Sequence, residues 1–126
     1  MGPLISIVDD DQAVREGLQR MLRSHGFATA VFASAEQFLA SGRPENASCL
    51  ILDVRMPGMT GLGLHDHLAS EGCRLPIILI TGSPTSGERE RAMSLGVVSY
   101  LTKPVDERVL LESLREALEH GSQAAG

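Results

Sequence analysis

Five short apolar runs punctuate the chain, at Leu4–Val8, Ala28–Phe32, Cys49–Asp53, Ile77–Thr81 and 97–102. Four of them are nearly continuous rather than alternating. Continuous runs of β-branched residues and leucine suit strands covered on both faces, as in a parallel sheet. The second run contains Thr29 and Ala30, is weaker, and is expected at a sheet edge. Helical spacing fills the gaps. Val14, Leu18, Met21 and Leu22 fall at i, i+4, i+7 and i+8, one face of a helix. That helix should stop near His25 and Gly26, where glycine can take the left-handed cap conformation. Ser34 and Gln37 form a capping-box pattern ahead of Phe38 and Leu39. Leu62, Leu64, Leu68 and Ala69 predict a third helix ending near Gly72. Thr85 and Glu88 form a second capping-box pattern before Ala92, Met93 and Leu95. Asp106 suits the cap of a last helix with Leu110, Leu114, Ala117 and Leu118 on one face.

Strand and helix thus alternate five times. This alternation predicts an α/β fold with a parallel sheet between two helical layers. Right-handed crossovers leave few topologies. Five units favour the flavodoxin-like, doubly wound strand order 2-1-3-4-5. The pattern assigns residues 1–120 to one domain. From Gly121 to Gly126 there is no apolar pattern, which reads as a tail or the start of a linker. At 126 residues the chain can bury about two-thirds of its unfolded surface without a disulfide or metal staple.

Ligands of such sheets bind beyond the carboxyl ends of the strands, where strand order reverses. The first strand ends at Asp9, Asp10 and Asp11, the third at Asp53, the fourth at Thr81, and the fifth just before Lys103. Singly, each residue has a plain reading as a helix cap, a turn former or a solvated lysine. Together they place three or four carboxylates, a hydroxyl and an ammonium in one cleft. Crowded carboxylates repel and push one another toward protonation unless a cation joins them. Hard oxygen donors without His or Cys suit Mg²⁺. A carboxylate can also act as a nucleophile and form an aspartyl-phosphate. Mg²⁺, a lysine and a threonine hydroxyl would offset charge on a transferring phosphoryl group.

Composition narrows the field. Eleven basic against sixteen acidic residues leave a net charge of −5, and the cationic residues do not cluster as nucleic-acid binding requires. Phe27, Phe32, Phe38 and Tyr100 are too few for a base-stacking surface. Cys49 and Cys73 are far apart and suggest neither a disulfide framework nor a zinc site. No signal-like or membrane-spanning apolar run is present, so a protein of the reducing cytoplasm is expected. The glycine-rich loops of nucleotide binders are missing after the first strand.

The stretches I-V-D-D-D-Q-A-V-R-E from Ile7, L-D-V-R-M-P-G-M-T-G from Leu52, I-T-G from Ile80 and Y-L-T-K-P from Tyr100 occur in this order and spacing. Along nearly its whole length the chain resembles the receiver (response regulator) domain of two-component signalling. The run from Leu52 is most similar to the FixJ-type subgroup, whose receivers usually precede a helix-turn-helix DNA-binding domain. The resemblance implies that Asp53 is the phosphoacceptor. It implies that Asp10, Asp53 and the backbone carbonyl of Arg55 hold Mg²⁺ (or Mn²⁺) directly, with Asp9 acting through water. Thr81 and Lys103 would contact the phosphoryl group, Tyr100 would change rotamer with Thr81, and the Lys103–Pro104 peptide bond would be cis. The implied partners are a sensor histidine kinase, a second copy in a phosphorylation-dependent homodimer, and a C-terminal DNA-binding effector domain outside this chain. The implied output surface is helix 4, strand 5 and helix 5. Such a domain catalyses only its own phosphoryl transfer and slow autodephosphorylation.

Several positions depart from the pattern or extend it. Asp11 adds a third acid and is assigned to the first helix cap rather than to the metal. Val105 replaces an aromatic often found after Lys-Pro. Arg55 and Ser83 stand two residues after Asp53 and Thr81, where the family tunes phosphoryl lifetime. Gly82 should leave the cleft uncrowded. Met56, Pro57 and Gly58 suit a type II turn that stiffens the Asp53 loop. A phosphohydrolase of the haloacid-dehalogenase type would share the nucleophilic Asp, the Mg²⁺ and the lysine, but needs a second Asp where Arg55 stands. A degenerate receiver used only as an interaction module is the other rival. His65 and His67 point to different helix faces and suit no shared metal. Glu88, Arg89, Glu90 and Arg91 read as a solvated helix face.

Overall fold

The computed structural model describes residues 2–41 and 44–125, with side chains as far as residue 119 except at position 45. Strands β1 (Leu4–Val8), β2 (Ala28–Phe32), β3 (Cys49–Asp53), β4 (Ile77–Thr81) and β5 (Ser99–Thr102) alternate with helices α1 (Gln12–Ser24), α2 (Ala35–Ala40), α3 (Gly61–Ser70), α4 (Glu88–Ser94) and α5 (Glu107–Ala125). All strand pairs are parallel and the order is β2-β1-β3-β4-β5. The flavodoxin-like expectation holds.

The sheet divides the core in two, following the two-residue period of a strand. Cys49, Ile51, Ile78 and Ile80 face α1 and α5, where Leu18, Leu22, Leu110 and Leu114 meet them. Leu50, Leu52, Ile77 and Leu79 face the other layer, with Phe38, Leu64, Leu68 and Ala92. Every residue of β3 and β4 is buried. Strand β2 pairs only with β1 and is partly exposed, as an edge strand should be. Two apolar layers on one sheet leave no room for charge inside, so the polar residues collect at the strand ends.

The caps show where local chemistry agrees with the fold and where it yields. Asp11 Oδ1 accepts from the N–H groups of Ala13 and Val14 and so caps α1. Ser34 Oγ accepts from Gln37 N, but Gln37 returns its bond to Ala33 N rather than to Ser34. Thr60, not singled out from sequence, caps α3 through Gly63 N. The expected Thr85–Glu88 capping box does not form. Gly87, which has no side chain to cap with, takes the cap position at φ 80°, and the Glu88 carboxylate is bonded to Arg55 and Tyr100 instead. Strand β5 begins at Ser99, two residues later than the apolar run suggested. Asp106 Oδ1 accepts from Val109 N at the start of α5. That helix runs to Ala125, so the backbone at 121–125, expected as a tail, is helical. Ala and Gln are good helix formers, which favours this continuation.

Beyond β3 the chain turns tightly. Gly58 has φ 76°, the value that the third position of a type II turn demands. Glu36 Oε2 accepts from Met59 N and ties this turn to α2. Gly61 N donates to Val54 O at 2.9 Å. A Cβ at Gly61 would lie 2.4 Å from Asp53 O and 2.9 Å from Val54 Cα. These are backbone atoms and cannot swing aside. Gly61→Ala should therefore destabilise the fold by about 1–3 kcal/mol, as overpacking of a filled site does. A shift of the urea midpoint to lower concentration checks this, and an unchanged midpoint would refute it.

Candidate functional site

Strand register brings the polar ends together. Val8 pairs with Leu52, Asp53 with Ile80, and Thr81 with Thr102. Asp9, Asp53, Thr81 and Lys103 are thus neighbours across four strands. Asp9 is fully buried. Its Oδ1 accepts from Asp11 N at 2.8 Å, while Arg15 Nη1 donates to its backbone oxygen at 2.8 Å. Asp53 is 3% exposed, and its Oδ1 accepts from Arg55 N at 3.2 Å. Lys103 Nζ stands 2.9 Å from Asp9 Oδ2 and 3.3 Å from Asp53 Oδ2. Only the second contact is aligned as a hydrogen bond, so Asp9 Oδ2 is buried with an ion-pair neighbour but no directed donor. Thr81 is fully buried, and its Oγ1 accepts from Ser83 N at 3.1 Å. Lys103 N donates to Thr81 O at 2.8 Å, and the Lys103–Pro104 bond is cis. An open cleft of about 450 Å³ joins Asp10, Asp53, Arg55, Thr81 and Lys103. Beside it, a Cβ on Gly82 would make only an ordinary contact, at 3.7 Å, with Lys103.

Electrostatics single out Asp53. Burial, reinforced by the charge of Asp9, pushes its carboxyl up to about 6, against the pull of the Arg55 N–H and Lys103. Burial works to lower the Lys103 pKa, but the two carboxylates outweigh it and hold the ammonium above its usual value. Asp9, Asp10 and Asp53 each offer an oxygen within 4.8 Å of the others. Three carboxylates against one ammonium leave two negative charges uncompensated. A divalent cation fits this deficit. All donors are hard oxygens, as Mg²⁺ or Mn²⁺ prefers, and Asp9 Oδ2 is buried beside them. Asp11 is spent on the α1 cap, as expected.

Tyr100 stands apart from the cleft. It is buried with the α3 and α4 residues, and its hydroxyl donates to Glu88 Oε1. Burial first, and then the bond to Glu88, push its phenol up to about 12. Arg89 Cζ lies 5.3 Å from the ring centroid. Glu88 Oε2 in turn accepts from Arg55 Nη2 at 2.8 Å. The expectation of a solvated face at 88–91 therefore fails for Glu88, whose side chain is 9% exposed. Its pairing with Arg55 and Tyr100 spans 33 and 12 residues, beyond the reach of local spacing rules.

The family profile described as response regulator receiver domain matches residues 5–115. The chain belongs to this family. Among curated relatives, the receiver domain is 36% identical over 119 residues to "Transcriptional regulatory protein FixJ" of Azorhizobium caulinodans, covering 94% of this chain and 56% of that protein. It is 39% identical over 116 residues to "Nodulation protein W" of Bradyrhizobium diazoefficiens, covering 92% and 51%. The solved structure of response regulator StyR superposes with TM-score 0.91 at 39% identity, over 99% of this chain and 63% of that one. FixJ-N superposes with TM-score 0.84 at 37% identity, over 95% and 96%. The receiver domain thus spans about half the length of the curated relatives it matches. FixJ of Azorhizobium caulinodans and StyR carry regulatory names, and the likeness to FixJ-N extends over 95% of this chain.

The raised Asp53 pKa has a definite consequence for stability. The folded receiver holds this proton more tightly than the unfolded chain, whose carboxyl titrates near 3.8. The stabilisation is complete below that pH and is lost as pH rises through about 6. Without divalent cation, Asp53→Asn should therefore be more stable than the wild type at pH 7.5, by about 1–2 kcal/mol. The gap should close as pH falls below 6. Denaturant melts at pH 5 and pH 7.5 check this, and a gap that does not change between them would refute it.

Proposed function

We propose that this domain is a phosphorylation-dependent switch whose acceptor is Asp53. The observation that carries the reading is the near contact of Asp53 with Lys103 and with the donor-short oxygen of Asp9, at the mouth of an open cleft. Asp10, Asp53 and the Arg55 carbonyl would hold Mg²⁺ directly, with Asp9 acting through water. When bound, the ion supplies charge neutralisation and a template for phosphoryl oxygens. The donor is a phosphohistidine of a sensor kinase. An Asp53 carboxylate oxygen attacks phosphorus in line with the phosphorus–nitrogen bond. The new oxygen–phosphorus bond forms as that bond breaks, and its electron pair stays on the imidazole, which takes up a proton from water. Lys103 Nζ, already 3.3 Å from Asp53 Oδ2, meets the developing charge. Thr81 has a hydroxyl proton to donate to a phosphoryl oxygen once it turns from Ser83.

Output follows from charge. The added phosphoryl group brings up to two negative charges into a cleft already in deficit. Thr81 and Lys103 move toward it, Tyr100 adjusts with Thr81, and α4, β5 and α5 change their shared surface. FixJ-type relatives named as transcriptional regulators support a C-terminal DNA-binding effector beyond the described helix, and a homodimer formed on phosphorylation. We place the protein in the cytoplasm, where a kinase phosphohistidine is available. Among the described residues no helix is long and apolar enough to cross a membrane.

Incubation with acetyl phosphate and Mg²⁺ should add the mass of one phosphoryl group to the intact chain. Chelator and Asp53→Asn should each abolish the gain. Labelling of the Asp53→Asn variant at full level would show that the acceptor lies elsewhere.

A further inference from the structure

Outside the acceptor contacts, one polar chain links the β3 loop to α4 and β5. Arg55 sends Nε and Nη2 to Ser83 O, at 3.1 and 2.9 Å. Its Nη2 also reaches Glu88 Oε2 at 2.8 Å. The other oxygen of Glu88 accepts from the Tyr100 hydroxyl. Arg55 is half exposed, at 45%, whereas Glu88 is 9% exposed. Glu88 is also the first residue of α4, a helix of seven residues whose cap, Gly87, makes no side-chain bond. One carboxylate thus fastens the start of α4 to the acceptor loop on one side and to β5 on the other.

Arg55 is two residues from Asp53, bonds to its carboxylate through the backbone N–H, and borders the same cleft. A phosphoryl group there carries about −1.5 to −2 charges and three strong acceptor oxygens. Guanidinium prefers such a partner, with its planar fork matched to two oxygens, over one carboxylate oxygen. We infer that Glu88 and a phosphoryl group on Asp53 compete for the Arg55 guanidinium, and that phosphorylation releases Glu88, the Tyr100 hydroxyl and the first turn of α4. The inference rests on the reading of Asp53 as acceptor. Its physical reason is the asymmetry of exposure. Arg55 can swing through solvent, but the Glu88 side chain, 9% exposed at the edge of the cleft it shares with Arg55 and Arg91, loses its paired cation at a site only partly open to water. Turning out to water relieves it and breaks the bond to Tyr100. Glu88 is a positioning residue in this scheme and touches no reacting atom.

The composition supplies a probe. The chain has one tyrosine and no tryptophan, so its near-ultraviolet emission reports Tyr100 alone. A carboxylate bonded to a phenol quenches that emission. Acetyl phosphate and Mg²⁺ are added to the full chain, and intact mass and emission are followed on the same samples. The wild type should brighten in step with its phosphorylated fraction and dim again as the phosphoryl group is hydrolysed. Glu88→Gln should be bright from the start and gain the same mass with no further change. A wild type that gains mass without brightening overturns the inference, as does a Glu88→Gln variant that brightens as the wild type does. Absence of any mass gain instead removes the functional reading, and the trigger with it. Should Glu88→Gln not fold, hydrogen exchange on the wild type answers the same question. The bonded amides of Glu88 and Arg91 should exchange faster after phosphorylation, and unchanged protection at both would overturn the inference.

Discussion

Lys103 Nζ stands 2.9 Å from Asp9 Oδ2 and 3.3 Å from Asp53 Oδ2, and this shared ammonium sets the terms for the rest of the site. One positive charge between two buried carboxylates cannot satisfy both. It stands nearer to Asp9 Oδ2 but is aligned as a hydrogen bond with Asp53 Oδ2, and so is divided between the two. Removing either carboxylate from water is costly, and part of that cost shows as the raised affinity of Asp53 for a proton. Near neutral pH the carboxylate is ionised and under-compensated, which is the state that accepts a metal ion or an electrophile. The site holds its charges apart from their best solution and leaves the completion to a ligand.

The fold tolerates this because the imbalance sits at the sheet's rim. Strands β3 and β4 are buried at every position and belong to two apolar layers. A charge one residue earlier on β3 would face Phe38 or Leu64 rather than the cleft. The pairing of Asp53 with Ile80 and of Thr81 with Thr102 fixes how far each strand carries its polar end. Gly61 N and Glu36 then hold the turn after Asp53 from two sides. The precision of the site is therefore inherited from strand register, and a one-residue slip would reverse every side chain on a strand.

Most of this was legible in the chain because strand burial and strand ends leave local traces. Ile77 to Ile80 are apolar without a break, and Asp9, Asp53, Thr81 and Lys103 each interrupt a run at the same end. The α4 start was read wrongly for an equally physical reason. Thr85 and Glu88 have the spacing of a capping box, but spacing cannot show that a carboxylate has better partners 33 residues back and 12 ahead. Long-range pairing overrode a local preference there, and Gly87 took over the cap. Thr60 is the reverse case: it caps α3 through Gly63 N, but no Glu or Gln stands three residues on to complete a capping-box pattern. At 121–125 the backbone continues the helix across Gly121 and Ser122 with no apolar stripe to mark it.

The same contrast explains why any signal from Asp53 to the α4–β5 surface must follow polar contacts. Between them lie Leu52, Leu79 and the side chains packed on α3 and α4, which are close-packed and resist graded deformation. A change of charge at Asp53 alters forces on Lys103, Thr81 and Arg55, which line the cleft beside it together with Asp10, Asp11 and Ser83. In the proposed switch Thr81 would move and leave space, and Arg55 would exchange one anion for another, at low cost because its own guanidinium is half in water. The less exposed member, Glu88, loses more when the pair is broken. A pair with one wet and one dry partner thus converts a shift of charge into a two-state choice for the dry partner, and α4, short and held at its first residue, is the element with least to resist it.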